Sequence, residues 1–390
     1  MKKIGFALFA TSALLGLSCE EKKEDRQTVV VTNSTDMDRS NETVSIPLDK
    51  LKPMAHGQGI GLQDAETGTG VVTQLWDEDG DGQMDVLLFQ PQLSANAKKT
   101  YVVTNTPHTG EGEALCYSRF VPERTDDYAW ENDRVAFRTY GPRAQQMVEE
   151  GIKGGTLSSG MDAWLKRVDY PIINKWYKKE LETDGSYHTD DGEGLDNFHV
   201  GISRGVGGIA KKVDTTYHIS KNFTSWKTLG TGPLRTGVIL TYADWDANGQ
   251  TISEEKKITL DLGSNLSRFE VALGGTDTIS AGLTLHDKLG TVTTNGENGW
   301  VSYWEPHADS ELGTGIVVPN GQMVGHDHYE TDQKDASNLF AQINVDNGKA
   351  VYYAGFGWKK SGQFTAQEQW NQYLDQFAKR LASPLEVSIK

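Results

Sequence analysis

Between Tyr187 and Gly208 the chain places two histidines, four acids, one arginine and six glycines in 22 residues. So many ionisable groups cannot be ordinary core, because buried charges must be paired. The glycines admit positive φ and close backbone approach. Two readings fit: a long polar surface loop, or an active-site floor on which Tyr187, His188 and Arg204 converge with the acids. A second cluster is Gly325-His326-Asp327-His328-Tyr329. Histidines at i and i+2 of a strand point the same way. His326 and His328 therefore read as metal ligands, as general bases or as exposed polar residues, and the spacing fixes no third ligand. Histidine and tyrosine suit proton transfer near neutral pH.

The segment Ala129 to Arg143 carries Trp130, Arg134, Arg138 and Arg143 around an alternating apolar row, Val135, Phe137 and Thr139. A guanidinium fork can bind a carboxylate or sulfate bidentately, so Arg134 and Arg143 are candidate substrate ligands. Glu131, Asp133 and Arg134 can also form a local salt-bridge cluster. Trp130 and Trp176 lie beside basic residues, where an aromatic face can stack on a sugar ring. Core packing is the ordinary alternative for both. Asp77, Asp79, Asp81 and Asp85, with Gly82 at the sixth place, resemble a loop that wraps oxygens around Ca²⁺. Leu88 stands where an EF-hand needs glutamate. The alternative is an Asp/Gly-rich turn without metal. Any Ca²⁺ here is expected to be structural, and the expected chemistry requires no cofactor.

These residues need a scaffold, and the elements that supply it are mostly strands. The chain has 390 residues and a formal net charge of −16, enough for two domains and unsuited to a nucleic-acid partner. Arg134 to Glu180 is locally basic, with nine Lys or Arg against five Asp or Glu. Residues 28–107 show short alternating strands, expected to form a small β-sandwich. Residues 115–390 show longer alternating strands, expected to form a large antiparallel sandwich. Asn248-Gly249 marks a hairpin. Pro142 opens a short helix. Thr365 with Glu368 reads as a capping box before the stripe Trp370, Tyr373, Leu374, Phe377 and Leu381, so a C-terminal helix is expected, then a last strand near 385–389. The fold class is all-β with a few short helices.

The first 19 residues read as export. Lys2 and Lys3 precede an apolar run too short to span a bilayer, and Ser18-Cys19 follows. This resembles a bacterial lipoprotein signal in which Cys19 is acylated; a plain cleaved signal peptide is the alternative. Residues 20–27 then form an acidic tether. The expected location is the outer membrane, at the cell surface or the periplasmic face, held through the N-terminal lipid alone. Only Cys116 remains after Cys19, so no internal disulfide framework is expected. No G-x-S-x-G, Walker, GxGxxG or HExxH pattern is present.

Four stretches together resemble one bacterial family: Trp130-Glu131-Asn132-Asp133-Arg134 through Gly141-Pro142, Gly160-Met161-Asp162-Ala163-Trp164, Tyr187-His188 through Arg204-Gly205, and Gly232-Pro233-Leu234-Arg235. The Asn33 to Glu42 and Asp77 to Asp85 segments also match its pattern. The family is catalogued as a domain of unknown function. It occurs among exported proteins of polysaccharide-degrading marine bacteria and includes oligosaccharide dehydratases of ulvan breakdown. The resemblance implies a hydro-lyase that removes water from a glucuronic or iduronic acid at the non-reducing end of an ulvan oligosaccharide. The product is a 4,5-unsaturated uronic acid, and the partner is an anionic, sulfated oligosaccharide. By analogy, the large domain resembles the supersandwich of carbohydrate mutarotases and some polysaccharide lyases. The rival readings are a polysaccharide lyase acting on uronic-acid glycans and a surface glycan-binding lipoprotein without turnover.

The chemistry sets requirements. The C5 hydrogen lies α to a carboxylate and is a poor acid. Its removal needs a base, an acid for the 4-hydroxyl and positive charge at the carboxylate. His188, His326 and His328 are the candidate base and acid, Tyr187 their partner, and Arg204, Arg134 or Arg143 the cation.

Overall fold

A computed structural model describes residues 26–52, 59–110, 112–319 and 321–390. Cys19 and the expected signal lie outside these residues. None of the described helices is long and apolar enough to cross a membrane.

The described residues from 28 to 104, with residues 386–389, build a small two-sheet sandwich. One sheet runs Glu386–Ile389, Thr28–Thr32, Lys98–Thr104, Gly61–Asp64, Gly70–Val71, and the other runs Val44–Pro47, Val86–Phe89, Thr73–Trp76. Every second side chain of these strands points inward, so Val29, Val31, Ile46, Leu87, Phe89 and Tyr101 share one core. The outer strand comes from the far end of the chain: Val29 pairs with Ile389 and Val31 with Val387. Residues 28–107 therefore do not complete the sandwich alone.

The larger part is two facing antiparallel sheets. The nine-stranded sheet runs Phe223–Gly230, Arg235–Tyr242, Gln250–Asp261, Leu266–Gly274, Lys349–Trp358, Ser310–Val317, Trp300–His307, Thr291–Asn295, with Trp245–Ala247 paired to Gln250–Asp261. The five-stranded sheet runs Thr216–His218, Val206–Val213, Thr278–Thr284, Asn338–Asn344, Met323–Tyr329. Phe269, Tyr352 and Phe356 from the first meet Ile279, Leu283 and Leu339 from the second. Ala247 pairs with Gln250 across Asn248-Gly249, both at positive φ, as a two-residue hairpin turn requires. The all-β sandwich with a C-terminal helix is thus the observed architecture.

That helix, Gln367–Ala382, buries Trp370, Leu374 and Ala378. It lies on Gly313 and Gly315, where an added Cβ would stand 2.7 Å from the Trp370 and Leu374 side chains. Its start differs from the expected capping box. Ala366 is the N-cap, with no side-chain cap bond. Thr365 donates from N (2.8 Å) and Oγ1 (3.1 Å) to Gln369 Oε1, so the reciprocal partner sits one residue beyond Glu368.

A third sheet positions the chemistry. It runs Gly194–Leu195, Asp162–Lys166, Ala136–Thr139, Asp127–Glu131, Tyr117–Val121. Alternation splits it into two faces. Tyr128, Trp130, Phe137, Ala163 and Leu165 enter the main core. Asp127, Ala129, Glu131, Ala136, Arg138, Asp162, Trp164 and Lys166 take the other face, because Arg138 registers with Asp162 and Ala129, and Ala136 with Trp164 and Glu131. The helix Ile173–Glu182 and Tyr187 cover that face, stacking Trp176, Tyr177 and Tyr187 around Trp164.

Candidate functional site

Arg138 is the centre of the covered face. Its Nε lies 2.9 Å from Asp162 Oδ2, its Nη2 2.9 Å from Asp196 Oδ2, and its Nη1 3.7 Å from Asp127 Oδ2. Nη1 also donates to the Tyr187 hydroxyl oxygen at 3.1 Å, which accepts a second bond from Arg124 Nε at 3.1 Å. All three carboxylates are buried. Burial pushes Asp162 up to about 7, with the Asp196 charge adding to it. Burial likewise raises Asp127 to about 6 and raises Asp196, against the pull of Arg138. Two guanidinium groups face three carboxylates, so this pocket holds a carboxyl group that takes up a proton near neutrality.

His188 sits at the rim of that pocket, its side chain 55% exposed. Its Nδ1 lies 2.5 Å from the Asp196 carbonyl oxygen. A carbonyl only accepts, so Nδ1 carries the proton and Nε2 keeps the lone pair. The backbone of Asp196 returns a bond to Tyr187 O at 2.9 Å. The dense polar stretch is therefore neither a free surface loop nor plain core: it straps the covered face and leaves both of its histidines, His188 and His199, exposed.

The strap continues over a second cluster. Phe198 packs edge-on against the His286 ring, centroids 4.5 Å apart. His199 Nε2 contacts Asp335 Oδ2 at 3.0 Å, and the His199 carbonyl lies 3.1 Å from His286 Nε2. His286 Nδ1 is 2.6 Å from Glu305 Oε1, and His307 Nδ1 is 4.0 Å from the same oxygen. Burial lowers the His286 pKa, but the hydrogen bond and charge of Glu305 outweigh it and raise it overall. Burial, then the neighbouring His286 charge, pulls His307 down to about 4.

Several expected site residues lie elsewhere. Arg204 is fully buried; its guanidinium is held by Ser159 Oγ (2.9 Å) and the Ile202 and Ile209 carbonyls (2.8 and 3.3 Å), and burial draws its pKa down to about 10. It organises the backbone and does not face a sugar carboxylate. His326 and His328 project from an exposed strand at the edge of the five-stranded sheet, with His328 3.0 Å from Glu330. They share no contact with His188. Trp130 is core, its Nε1 bonded to Ser267 Oγ at 3.0 Å. Trp176 is buried against Trp164. Neither offers a face to a ring. Arg134 contacts Asp133 and Asn265, and Arg143 bonds Gln146 along its own helix at 2.7 Å; neither reaches the His188 rim. Asp77, Asp79 and Asp85 do converge, with one oxygen from each within 4.8 Å of the others. Asp81 stands apart and bonds Gln83 N at 2.7 Å. Asp77 already accepts from Gly80 N (2.6 Å) and Gly82 N (2.8 Å), the backbone wrapping that an Asp/Gly turn uses with or without an ion.

The sequence reading missed Arg124, Arg138, Asp162, Asp127, His286, Glu305, His307 and Asp335 as site residues. For those on strands the local signal was charge inside an alternating run, such as Arg138 between Phe137 and Thr139, whereas Arg124, His286 and Asp335 lie in connections and carried none.

A family profile described as "Domain of unknown function (DUF4861)" matches residues 31–387. "Uncharacterized protein P7" of Formosa agariphila is 53% identical over 395 residues, covering 100% of both chains. Among solved structures, a protein in the glycosyl hydrolase family 38 from Enterococcus faecalis superposes with TM-score 0.54 at 11% identity, over 95% of this chain and 48% of that one. The chain thus spans about half the length of that protein. An alpha-mannosidase from the same organism gives TM-score 0.46 at 10% identity, over 94% of this chain and 46% of that one. At 11% identity the likeness to the glycosyl hydrolase family 38 protein concerns the fold alone.

Proposed function

The chain belongs to the DUF4861 family, and from that premise we propose that it is an oligosaccharide dehydratase. It eliminates water from the uronic acid at the non-reducing end of ulvan oligosaccharides and leaves a 4,5-unsaturated uronic acid. The observation that supports this reading is the rim histidine. His188 is exposed, its tautomer is fixed by the Asp196 carbonyl, and it stands beside the Tyr187 ring and the buried Asp196 carboxyl, 3.7 Å from its Nδ1, whose pKa burial raises.

In this reading His188 Nε2 removes the C5 proton. The C5–H electron pair forms the C4=C5 double bond, and the C4–O bond breaks. The departing hydroxyl takes a proton from the imidazolium that His188 has become and leaves as water, which returns the histidine to its neutral form. Arg124, half-buried, reaches Tyr187 with Nε and Thr125 with Nη1, and its Nη2 makes no hydrogen bond among the described residues. It is the guanidinium placed to offset the developing charge on the uronate carboxylate. The protein would act on its substrate while held to the outer membrane through a lipid on Cys19.

The test uses ulvan oligosaccharides with a saturated uronic acid at the non-reducing end. Dehydration gives rising absorbance of the unsaturated uronate with loss of one water and no shortening. Shorter products would make the protein a polysaccharide lyase. Binding without either change would make it a glycan-binding protein. His188→Ala is expected to lower turnover by about 10²-fold or more, the usual contribution of a general base.

A further inference from the structure

We propose that His286, Glu305 and His307 form a binding site for one divalent transition-metal ion, of which zinc suits the donor set best. The residues come from two facing sheets. His286 follows the strand Thr278–Thr284, and Glu305 and His307 lie two apart on Trp300–His307, so both point the same way. One donor atom from each lies within 4.8 Å of the other two.

The hydrogen bonding calls for a positive centre there. His286 Nε2 is 3.1 Å from the His199 carbonyl oxygen. A carbonyl only accepts, so that nitrogen carries a proton, and Nδ1 is left to hold either a second proton or a metal ion. Nδ1 faces Glu305 Oε1 at 2.6 Å. Two electron pairs at that distance need a cation to share. A single proton would serve His286 and Glu305 and leave His307 unexplained. The His307 ring is 9% exposed and its Nδ1 is 4.0 Å from the same Glu305 oxygen, within reach of an ion shared with His286. A metal ion satisfies all three donors together.

Two imidazoles and one carboxylate bind zinc while leaving a fourth position open. The His286 side chain keeps 14% exposure, so water can reach the cluster and supply an oxygen ligand. The His199 carbonyl fixes the His286 ring, as an acceptor behind a ligating imidazole does. His199 is held in turn by Asp335. The ion requires nothing of the dehydratase reading, and its binding is measured without substrate.

The experiment strips the purified full-length protein with a chelator and titrates Zn²⁺ by calorimetry, followed by X-ray absorption at the zinc edge. The expected result is one tightly bound equivalent with two imidazole nitrogens at about 2.0–2.1 Å. His307→Ala and Glu305→Gln should each weaken binding at least roughly tenfold. The double variant His326→Ala/His328→Ala removes an exposed histidine pair and should bind as the parent does. Absence of a bound equivalent, an all-oxygen ligand shell, or loss of binding only in the His326/His328 double variant would overturn the proposal. If the His307 and Glu305 variants fail to fold, the parent's absorption spectrum alone decides between imidazole and oxygen ligands.

Discussion

Replacing Arg138 with methionine keeps most of the side-chain volume and removes the one guanidinium, among the described residues, that contacts Asp127, Asp162 and Asp196 together. At separations near 3 Å and an effective dielectric of about 20, each such pair is worth roughly 5 kcal/mol of attraction, most of it cancelled by desolvation. The net loss follows from what remains: three buried carboxylates with only Arg124 nearby. Leaving such groups uncompensated costs about 3–5 kcal/mol. That cost depends on pH in a defined direction. Burial already holds Asp162 near 7 and Asp127 near 6, above the unfolded value of 3.8, and losing Arg138 raises them further. Between pH 4 and the raised values the folded variant binds more protons than the unfolded chain, so its stability rises as pH falls. Urea unfolding followed by tryptophan fluorescence, with Trp164 beside the guanidinium, should show about 3–5 kcal/mol lost at pH 8 and less than half of that at pH 5. Equal losses at the two pH values, or a loss below about 1 kcal/mol at pH 8, would refute the assignment of a charge-paired pocket.

Other outcomes follow from the same contacts. Parent stability should fall as pH rises from 4 to 7, because the folded state still holds Asp162 and Asp127 protons that the unfolded chain has released. Asp162→Asn should remove up to about 4 kcal/mol of that slope, read from urea midpoints across the range. Gly315→Ala drives a methyl into Leu374 and should cost about 1–3 kcal/mol through overpacking, whereas Trp370→Ala should cost about 3–5 kcal/mol through the cavity it leaves; thermal unfolding checks both. Removing residues 384–390 strips Thr28–Thr32 of its edge partner. It should lower the melting temperature and promote association, measured by calorimetry and light scattering.

The family motifs illustrate how far local sequence reaches. Glu131, in the Trp130 to Arg134 motif, was legible as part of a salt-bridge cluster but not as the buried partner of Lys166 at 2.9 Å, accepting the Ile172 and Ile173 amides as well. Asn132 ties the same turn to the Asp261 and Ser264 carbonyls at 2.7 Å. These bonds span about 35 to 132 residues, a range that periodicity does not encode. Arg204 misled for the same reason. A lone arginine among glycines reads as a ligand, yet Gly205, at φ 59° and with its Cβ direction blocked by Met161 O at 1.9 Å, turns the chain so that Arg204 enters the interior.

What the sequence alone determined is whatever repeats at short range. Strand alternation, the Asn248-Gly249 hairpin, the helix after Pro142, the apolar stripe of the last helix and the converging Asp77 to Asp85 loop all follow from periods of two or 3.6 and from turn chemistry. Tertiary structure decided the rest. It gave the N-terminal sandwich its outer strand from residues 386–389 and drew Asp127, Arg138, Asp162 and Asp196 under one tyrosine. It also brought His286 from one sheet to Glu305 and His307 of another. The physical reason is that inward and outward positions on a strand are fixed by neighbours two residues away, whereas which inward faces meet is fixed by how whole sheets bury their apolar sides.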